Sequence, residues 1–258
     1  MPSGLQPLRQ LKSLNGKSSP YLVLFNDDSK CVVKFKNNPK GTRVLVNEYV
    51  VAELAQLLSL PIAPNKILNI SNDFIELHFH NPQLHFQSGN QFCSKYIEGC
   101  IGLPKIPPFK NEIVNRKDLV GLIIFDYWLC NSDRHRNNIL LEPLSEEGYY
   151  VHLIDHSHCF PGSFKWSKAS LNEGPKKLRN RIVHQWCASL LNERSELTTF
   201  VEKLTNLADT SIYHIIQSIP ADWDVSQDER DALFTYLSRS KKRMPKIFNY
   251  IFKRYYSK

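Results

Sequence analysis

The stretch Asn131-Ser132-Asp133-Arg134-His135-Arg136-Asn137-Asn138-Ile139, with the later run His152-Leu153-Ile154-Asp155, decides the fold of this sequence. It follows residues 119–129, where almost every side chain is apolar, which predicts a buried helix. The short apolar runs at 139–141 and 150–154 predict the two strands of a hairpin. We therefore expect a rigid polar loop between a buried helix and this hairpin.

The polar residues of this region suit phosphoryl transfer. That reaction needs a carboxylate to orient or deprotonate the acceptor, oxygen ligands for magnesium, and a cation at the nucleotide phosphates. Antiparallel pairing of the hairpin should bring Asn138, which enters the first strand, close to Asp155, which leaves the second. Two oxygen ligands suit magnesium, which keeps waters and takes substrate phosphates as its other ligands. A purely structural loop, with Asp133 in a salt bridge to Arg134 or Arg136, is the alternative.

The runs 132–139 and 152–155 resemble the catalytic and metal-binding motifs of phosphatidylinositol 3- and 4-kinases, while the whole chain is closer in size and layout to the HipA-like kinases of bacteria. Asp133 and Asn138 are also spaced as in a protein-kinase catalytic loop. The resemblance implies that Asp133 accepts the proton of the acceptor and that His135 orients the loop or stabilises the transferring phosphoryl group. It implies that Asn138 and Asp155 bind the metal.

Patterns elsewhere predict the remaining elements. Residues 21–25 and 31–35 predict a hairpin around a polar turn, and a broad apolar stripe over 44–58 predicts a helix. Glycines and prolines interrupt the chain at 99–108, after which we expect a helix around 118–130. A helical tail should run from about 189 to 256, with a capping box of Ser226 and Glu229.

With the resemblance, these patterns imply an α+β class and a bilobal protein-kinase-like fold. The N-lobe, residues 1–98, would be β-rich and bind the nucleotide phosphates. The C-lobe, residues 99–258, would be mainly helical and carry the catalytic loop and metal site.

The N-lobe should supply the nucleotide-binding residues. Lys34 ends an apolar strand, so its ammonium must leave the core, and it resembles the lysine that pairs with the α- and β-phosphates. Its partner would be Glu48 in the next helix, with Glu53 as the alternative; an exposed, unpaired Lys34 and Glu48 would be a non-functional arrangement. The resemblance also implies a phosphate-covering loop and a hinge against adenine, with these residues: Ser18 and Ser19 in the loop, Ser94, Tyr96 and Ile97 in the hinge.

Composition adds weaker constraints. The formal net charge of +8 favours polyanionic neighbours such as nucleotide, nucleic acid or an acidic membrane surface, although a solvated basic surface is equally consistent. The basic run at 176–181 could contact an acidic substrate, a nucleic acid or a lipid head group, but a solvated helix face explains it more simply. Six scattered cysteines favour a reducing cytoplasm, and the absence of a signal sequence or long apolar segment predicts a soluble protein. His152, His156, His158 and Cys159 are too close in sequence to favour a zinc site.

The expected activity is that of an ATP- and Mg²⁺-dependent kinase acting on a hydroxyl. The resemblance to HipA-like kinases implies serine or threonine of a protein as the first candidate acceptor, and autophosphorylation at Ser18 or Ser19. A lipid or small-molecule alcohol is a second candidate acceptor. A nucleotide-binding pseudokinase and a nucleic-acid-binding protein are alternatives of other classes. The expected partners are ATP, a protein substrate and an antitoxin or other regulatory protein.

Overall fold

The computed structural model describes residues 4–81, 83–144, 148–173, 178 and 182–256. Apart from Leu178, the basic run at 176–181 lies outside these residues. The strands are β1 Pro7–Ser13, β2 Tyr21–Phe25, β3 Lys30–Lys36, β4 Asn65–Ile70, β5 Gln87–Lys95, β6 Ile101–Gly102, β7 Ile139–Leu144 and β8 Gly148–Leu153. The helices are α1 Arg43–Leu57, α2 Asn72–His78, α3 Arg116–Leu119, α4 Leu122–Leu129, α5 Lys168–Glu173, α6 Ile182–Ser189, α7 Arg194–Thr205, α8 Asp209–Gln217, α9 Gln227–Lys242 and α10 Met244–Tyr255.

The first part of the chain forms an antiparallel sheet in the order β1-β2-β3-β5-β4. The β2–β3 hairpin predicted from sequence is present, with Tyr21 opposite Val33. The side chains of one sheet face pack with α2 around a stack of aromatic rings, in which Phe35 and Phe86 lie 4.7 Å apart between centroids. This small core fixes the register of β3 and hence the position of Lys34.

Helix α1 is buried on most of its faces, because its apolar residues contact both the sheet and the helical part of the chain. Two polar side chains, Asn47 and Glu48, are also buried in it. A helix enclosed in this way cannot shift without exposing apolar surface, so α1 holds Glu48 in a fixed position.

The helical part is built around α4, whose eight residues are all buried. Trp128 Nε1 donates to the carbonyl of Leu237 in α9 at 3.0 Å, and the hydroxyl of Tyr236 donates back to the carbonyl of Trp128. The hairpin β7–β8 joins β6 in a small second sheet beside α4. The predicted capping box at the start of α9 is present.

Three features differ from the sequence expectations. The helix expected around 118–130 is interrupted between α3 and α4 at Gly121, where a side chain would overlap the ring of Phe200. The expected helical tail is divided into the separate helices α7 to α10. Strand β1 was not predicted, because its alternating, half-exposed sequence carries no apolar run.

Among the described helices, none has the length and apolar character that crossing a bilayer requires.

Candidate active site

The loop that carries Asp133 begins where α4 ends. Cys130 takes a left-handed conformation, with φ of 55°, and this turns the chain out of the helix. The next residues run in an extended path to a short 3₁₀ helix, Arg136–Asn138, which leads into β7. Because α4 is buried along its whole length, the loop starts from a rigid anchor.

Asp126, the acidic residue of α4, ties this loop to the core. Its carboxylate accepts hydrogen bonds from Arg134 Nε at 3.1 Å, from Asn131 Nδ2 at 2.9 Å and from His184 Nε2 at 2.9 Å. Burial opposes ionisation of Asp126, but the charge of Arg134 and the bond from His184 outweigh it and lower the pKa of Asp126 below its ordinary value. The result is a charged, fully buried anchor under the loop.

This network argues against the purely structural alternative for Asp133, a salt bridge to Arg134 or Arg136. Arg134 is buried and pairs with Asp126, and Arg136 donates to the carbonyl of Lys105 at 3.1 Å, so neither arginine neutralises Asp133. Asp126 was the residue in the sequence that could have indicated this network, because an acid in an otherwise apolar buried helix needs a buried partner.

The side chain of Asp133 is 35% exposed and faces two imidazoles. Its Oδ2 lies 3.6 Å from His135 Nε2 and 3.9 Å from His158 Nε2. Its backbone is held on both sides, since its N–H donates to Asn131 Oδ1 at 3.1 Å and its carbonyl accepts from Asn138 Nδ2 at 2.8 Å. His135 therefore lies beside Asp133 as expected, and His158 is an additional neighbour that was not predicted.

The hairpin brings the backbones of Asn138 and Ile154 together. Ile139 pairs with Leu153, and the N–H of Ile154 donates to the carbonyl of Asn138 at 3.2 Å. Arg134 Nη1 donates to both carbonyls, at 3.4 Å to Asn138 and 3.3 Å to Ile154. Asp155 follows with φ of 54°, a left-handed turn that ends the strand.

Lys34, Glu48 and Asp155 meet at the centre of the site. Lys34 Nζ forms ion pairs with Glu48 Oε1 and, at 3.2 Å, with Asp155 Oδ1. The N–H of His156 donates to Glu48 at 2.9 Å, and the hydroxyl of Ser157 donates to Asp155 at 2.8 Å. The exposed, unpaired arrangement of Lys34 and Glu48 is therefore ruled out.

The charges of this cluster are mutually dependent. Burial raises the pKa of Glu48 to about 7, although the Lys34 charge opposes this. Burial would lower the pKa of Lys34, but Asp155 and Glu48 outweigh it and raise that pKa above its ordinary value. Lys34 and the Ser157 hydroxyl in turn hold the pKa of Asp155 below its ordinary range, against the effect of its partial burial. Lys34 and Asp155 thus stay charged at neutral pH.

Asn47, next to Glu48, holds the segment that follows Asp155. Its Nδ2 donates to the carbonyls of Ser157 at 2.7 Å and Cys159 at 3.2 Å, and its Oδ1 accepts from Trp166 Nε1 at 2.7 Å. A fully buried amide whose nitrogen and oxygen are both hydrogen-bonded is a strong positional restraint.

A cavity of about 260 Å³ lies above the Lys34 cluster. Its lining includes Lys34, Glu48 and Asp155, apolar side chains such as Val32, Ala63 and Leu153, and the predicted residues Ser18, Ser94, Tyr96 and Ile97. Ser19 is not among the lining residues; its N–H donates to the carbonyl of Gly16, closing the β1–β2 loop. An apolar slot with charged groups at one end suits a nucleotide.

As a pair of donors, Asp155 and Asn138 fit magnesium better than zinc; Asp155 lines the cavity, and Asn138 is not among its lining residues. The side chain of Asp155 is 41% exposed, and the amide nitrogen of Asn138 is occupied by the Asp133 carbonyl, which leaves the oxygen of that amide as its metal-binding atom. Within the described ranges, no group of three His, Cys, Asp or Glu side chains could hold a metal. Magnesium needs fewer protein ligands, because phosphates and waters supply the others.

Comparison with solved structures shows a kinase-like fold. The chain is similar to the Helicobacter pylori proinflammatory kinase CtkA, with a TM-score of 0.63, 13% identity and coverage of 97% of this chain and 96% of that chain. It is similar to HipA in the Shewanella oneidensis MR-1 HipA, HipB and operator DNA complex, with a TM-score of 0.51, 12% identity and coverage of 97% and 74%. It is also similar to the Golgi casein kinase with Mn and ADP bound, with a TM-score of 0.51, 11% identity and coverage of 94% and 74%.

A search of curated proteins gave no match. The family model for HipA-like kinases, however, matches residues 9–253, almost the whole chain. This match and the kinase-like fold confirm the family resemblance drawn from residues 132–139 and 152–155. The chain belongs to the HipA-like kinase family.

Proposed function

We propose that this kinase-family chain transfers the γ-phosphoryl group of ATP, with Mg²⁺, to a hydroxyl group, and that the acceptor is serine or threonine of a protein. The observation that carries the proposal is the contact of Lys34 with both Glu48 and Asp155 at the floor of the cavity. That contact joins the sheet, α1 and the end of the β7–β8 hairpin at one point, which is where an active kinase must bind phosphates.

ATP would lie with its adenine among the apolar side chains beside Ser94, Tyr96 and Ile97, and with its phosphates at Lys34. Lys34, held by Glu48, would neutralise the phosphates. Ser18 in the β1–β2 loop would cover them. The proposed N-lobe, residues 1–98, and C-lobe, residues 99–258, would then each supply one wall of the cleft.

Asn138 and Asp155 would hold Mg²⁺, which would supply positive charge against the negative charge that develops on the phosphates during transfer. The protein groups fix these two residues before any nucleotide binds. Asn138 is held through the Asp133 carbonyl, and Asp155 through Lys34 and Ser157.

Asp133 would accept the proton of the acceptor hydroxyl as its oxygen attacks the γ-phosphorus. The bond from that phosphorus to the β,γ-bridging oxygen breaks, and ADP leaves with the electron pair. The two imidazoles beside Asp133 would stabilise charge near it, with His135 in the role expected from sequence. Because Asp126 and Arg134 anchor the loop, Asp133 needs little reorganisation during the reaction.

Other expectations belong to this proposal. The HipA structure named above contains HipB, so a regulatory partner of the antitoxin type is a reasonable candidate for this chain. Autophosphorylation at Ser18 would require the β1–β2 loop to open, because Ser18 is buried. A cytoplasmic location and binding of nucleic acid rest only on composition.

The proposal is tested by the thermal stability of the protein with ATP, with and without Mg²⁺. We expect Mg²⁺ and ATP together to raise Tm. Asp155→Asn should remove the part of this increase in Tm that depends on Mg²⁺. Asp228→Asn, an exposed acid on α9, is the matched control and should retain it. A wild-type protein with no response to ATP and Mg²⁺ would contradict nucleotide binding at this site.

A further inference from the structure

A row of three side chains leads away from Asp133 across the surface of the site. His158 Nε2 lies 3.9 Å from Asp133 Oδ2, and its ring meets that of Phe164 edge to face, with centroids 5.1 Å apart. Lys40 Nζ lies 5.2 Å from the centroid of the same Phe164 ring. The row therefore connects the candidate catalytic carboxylate to the loop between β3 and α1.

This surface is accessible and positively charged. The side chain of His158 is 28% exposed, Phe164 and Lys40 are half-buried, and the neighbouring Lys165 is exposed. Across the described part of the chain, no carboxylate lies within 4.0 Å of the ammonium of Lys40 or Lys165. Arg43, a few residues further on, is by contrast neutralised by Glu229.

We propose that His158, Phe164 and Lys40 form the acceptor subsite and select a serine or threonine that has acidic residues near it in the peptide. The inference rests on the proposed function, since the acceptor hydroxyl would approach Asp133, whose Oδ2 lies 3.9 Å from His158 Nε2. The ring of Phe164 gives the peptide an apolar surface to pack on, and Lys40 attracts a carboxylate beyond it. An extended peptide rises about 3.3 Å per residue, so an acid a few positions from the hydroxyl reaches Lys40.

Phosphoryl transfer to synthetic peptides tests the selection. The peptides carry one central serine flanked on both sides by glutamate, by glutamine or by lysine. We expect the wild type to favour the glutamate peptide over the glutamine peptide by about fivefold in kcat/KM, the scale of a partly exposed charge pair. Lys40→Glu should remove this preference and favour the lysine peptide, with the KM for ATP unchanged. Lys246→Glu, an exposed lysine on α10, should behave as wild type.

Binding of the same peptides, fluorescently labelled, in the presence of Mg²⁺ and a non-hydrolysable ATP analogue separates the subsite from the chemistry. Selective binding of the glutamate peptide that Lys40→Glu abolishes supports the subsite even if no transfer occurs, in which case only the proposed activity fails. Equal binding of glutamate and glutamine peptides, or a preference that survives Lys40→Glu, overturns the subsite whether or not transfer occurs.

Discussion

His156 directly follows Asp155, and burial lowers its pKa so that it stays neutral. It is 2% exposed, and its Nδ1 lies 3.3 Å from Arg134 Nη2. Because arginine can only donate, Nδ1 accepts and the ring proton is on Nε2. Burial, and after it the charge of Arg134, lower the pKa of His156 to about 3.

This residue predicts a specific pH dependence of stability. Below pH 6.5, the ordinary pKa of histidine, the unfolded chain binds a proton at His156 that the folded chain cannot bind, so stability falls as pH decreases. Between pH 6.5 and 5 the loss from His156 should be at most about 2 kcal/mol. His156→Asn, which keeps an acceptor for Arg134, should flatten this slope in urea unfolding.

The exposed His80→Asn is the matched control, because its side chain is solvated in both states. An unchanged slope in His156→Asn would show that His156 is not the group that takes up the proton on unfolding.

Among the elements, those with strong local patterns were predictable. The β2–β3 hairpin, α1, α4 and the β7–β8 hairpin each have an unbroken apolar pattern, and all are present. The network of Asp126, Arg134 and His184 was not predicted, because its members come from separate segments that meet only in the folded chain. Of the candidate site residues, the folded chain brings together Lys34, Glu48 and Asp155.

Gly121, at the break between α3 and α4, is a further case, because a tertiary contact limits which residue fits there. Gly121 leaves room for the Phe200 ring of α7, so Gly121→Ala should destabilise the fold by about 1–3 kcal/mol despite the higher helix propensity of alanine. The double variant Gly121→Ala with Phe200→Ala should be less destabilised than the sum of the two single variants. Additive losses in chemical denaturation would contradict the steric cause.

At the scale of the whole molecule, a clamp formed by Asp222 and Trp223 joins the sheet to the helical part. Asp222 accepts from Lys36 Nζ at 2.9 Å and from both the backbone and side-chain amides of Asn90 at 2.9 Å. Trp223 Nε1 donates to the carbonyl of Asn90 at 2.7 Å. The clamp therefore holds β3 two residues from Lys34, and so connects the candidate site to the segment that precedes α9.

Loss of the clamp should weaken nucleotide binding more than its local contacts suggest. We expect Asp222→Ala to reduce the free energy of unfolding by about 1–2 kcal/mol and to raise the Kd for ATP with Mg²⁺ about threefold to tenfold, because β3 is less restrained. Asp228→Ala, whose carboxylate pairs with Lys168 at the surface, should change neither quantity measurably. If Asp222→Ala lowers the free energy of unfolding but keeps the wild-type Kd for ATP with Mg²⁺, the clamp contributes to stability and not to nucleotide binding.

The central claim is that the chain transfers phosphoryl groups, and the most direct test follows the label of [γ-³²P]ATP with Mg²⁺ in wild type and Asp133→Asn. We expect label in the chain itself, in serine peptides or in released phosphate for the wild type. In Asp133→Asn we expect the rate of labelling to fall at least about a hundredfold, with nucleotide binding retained. Wild-type protein that binds ATP but leaves the label in ATP, with every acceptor and with water, would contradict it and indicate a nucleotide-binding module without turnover.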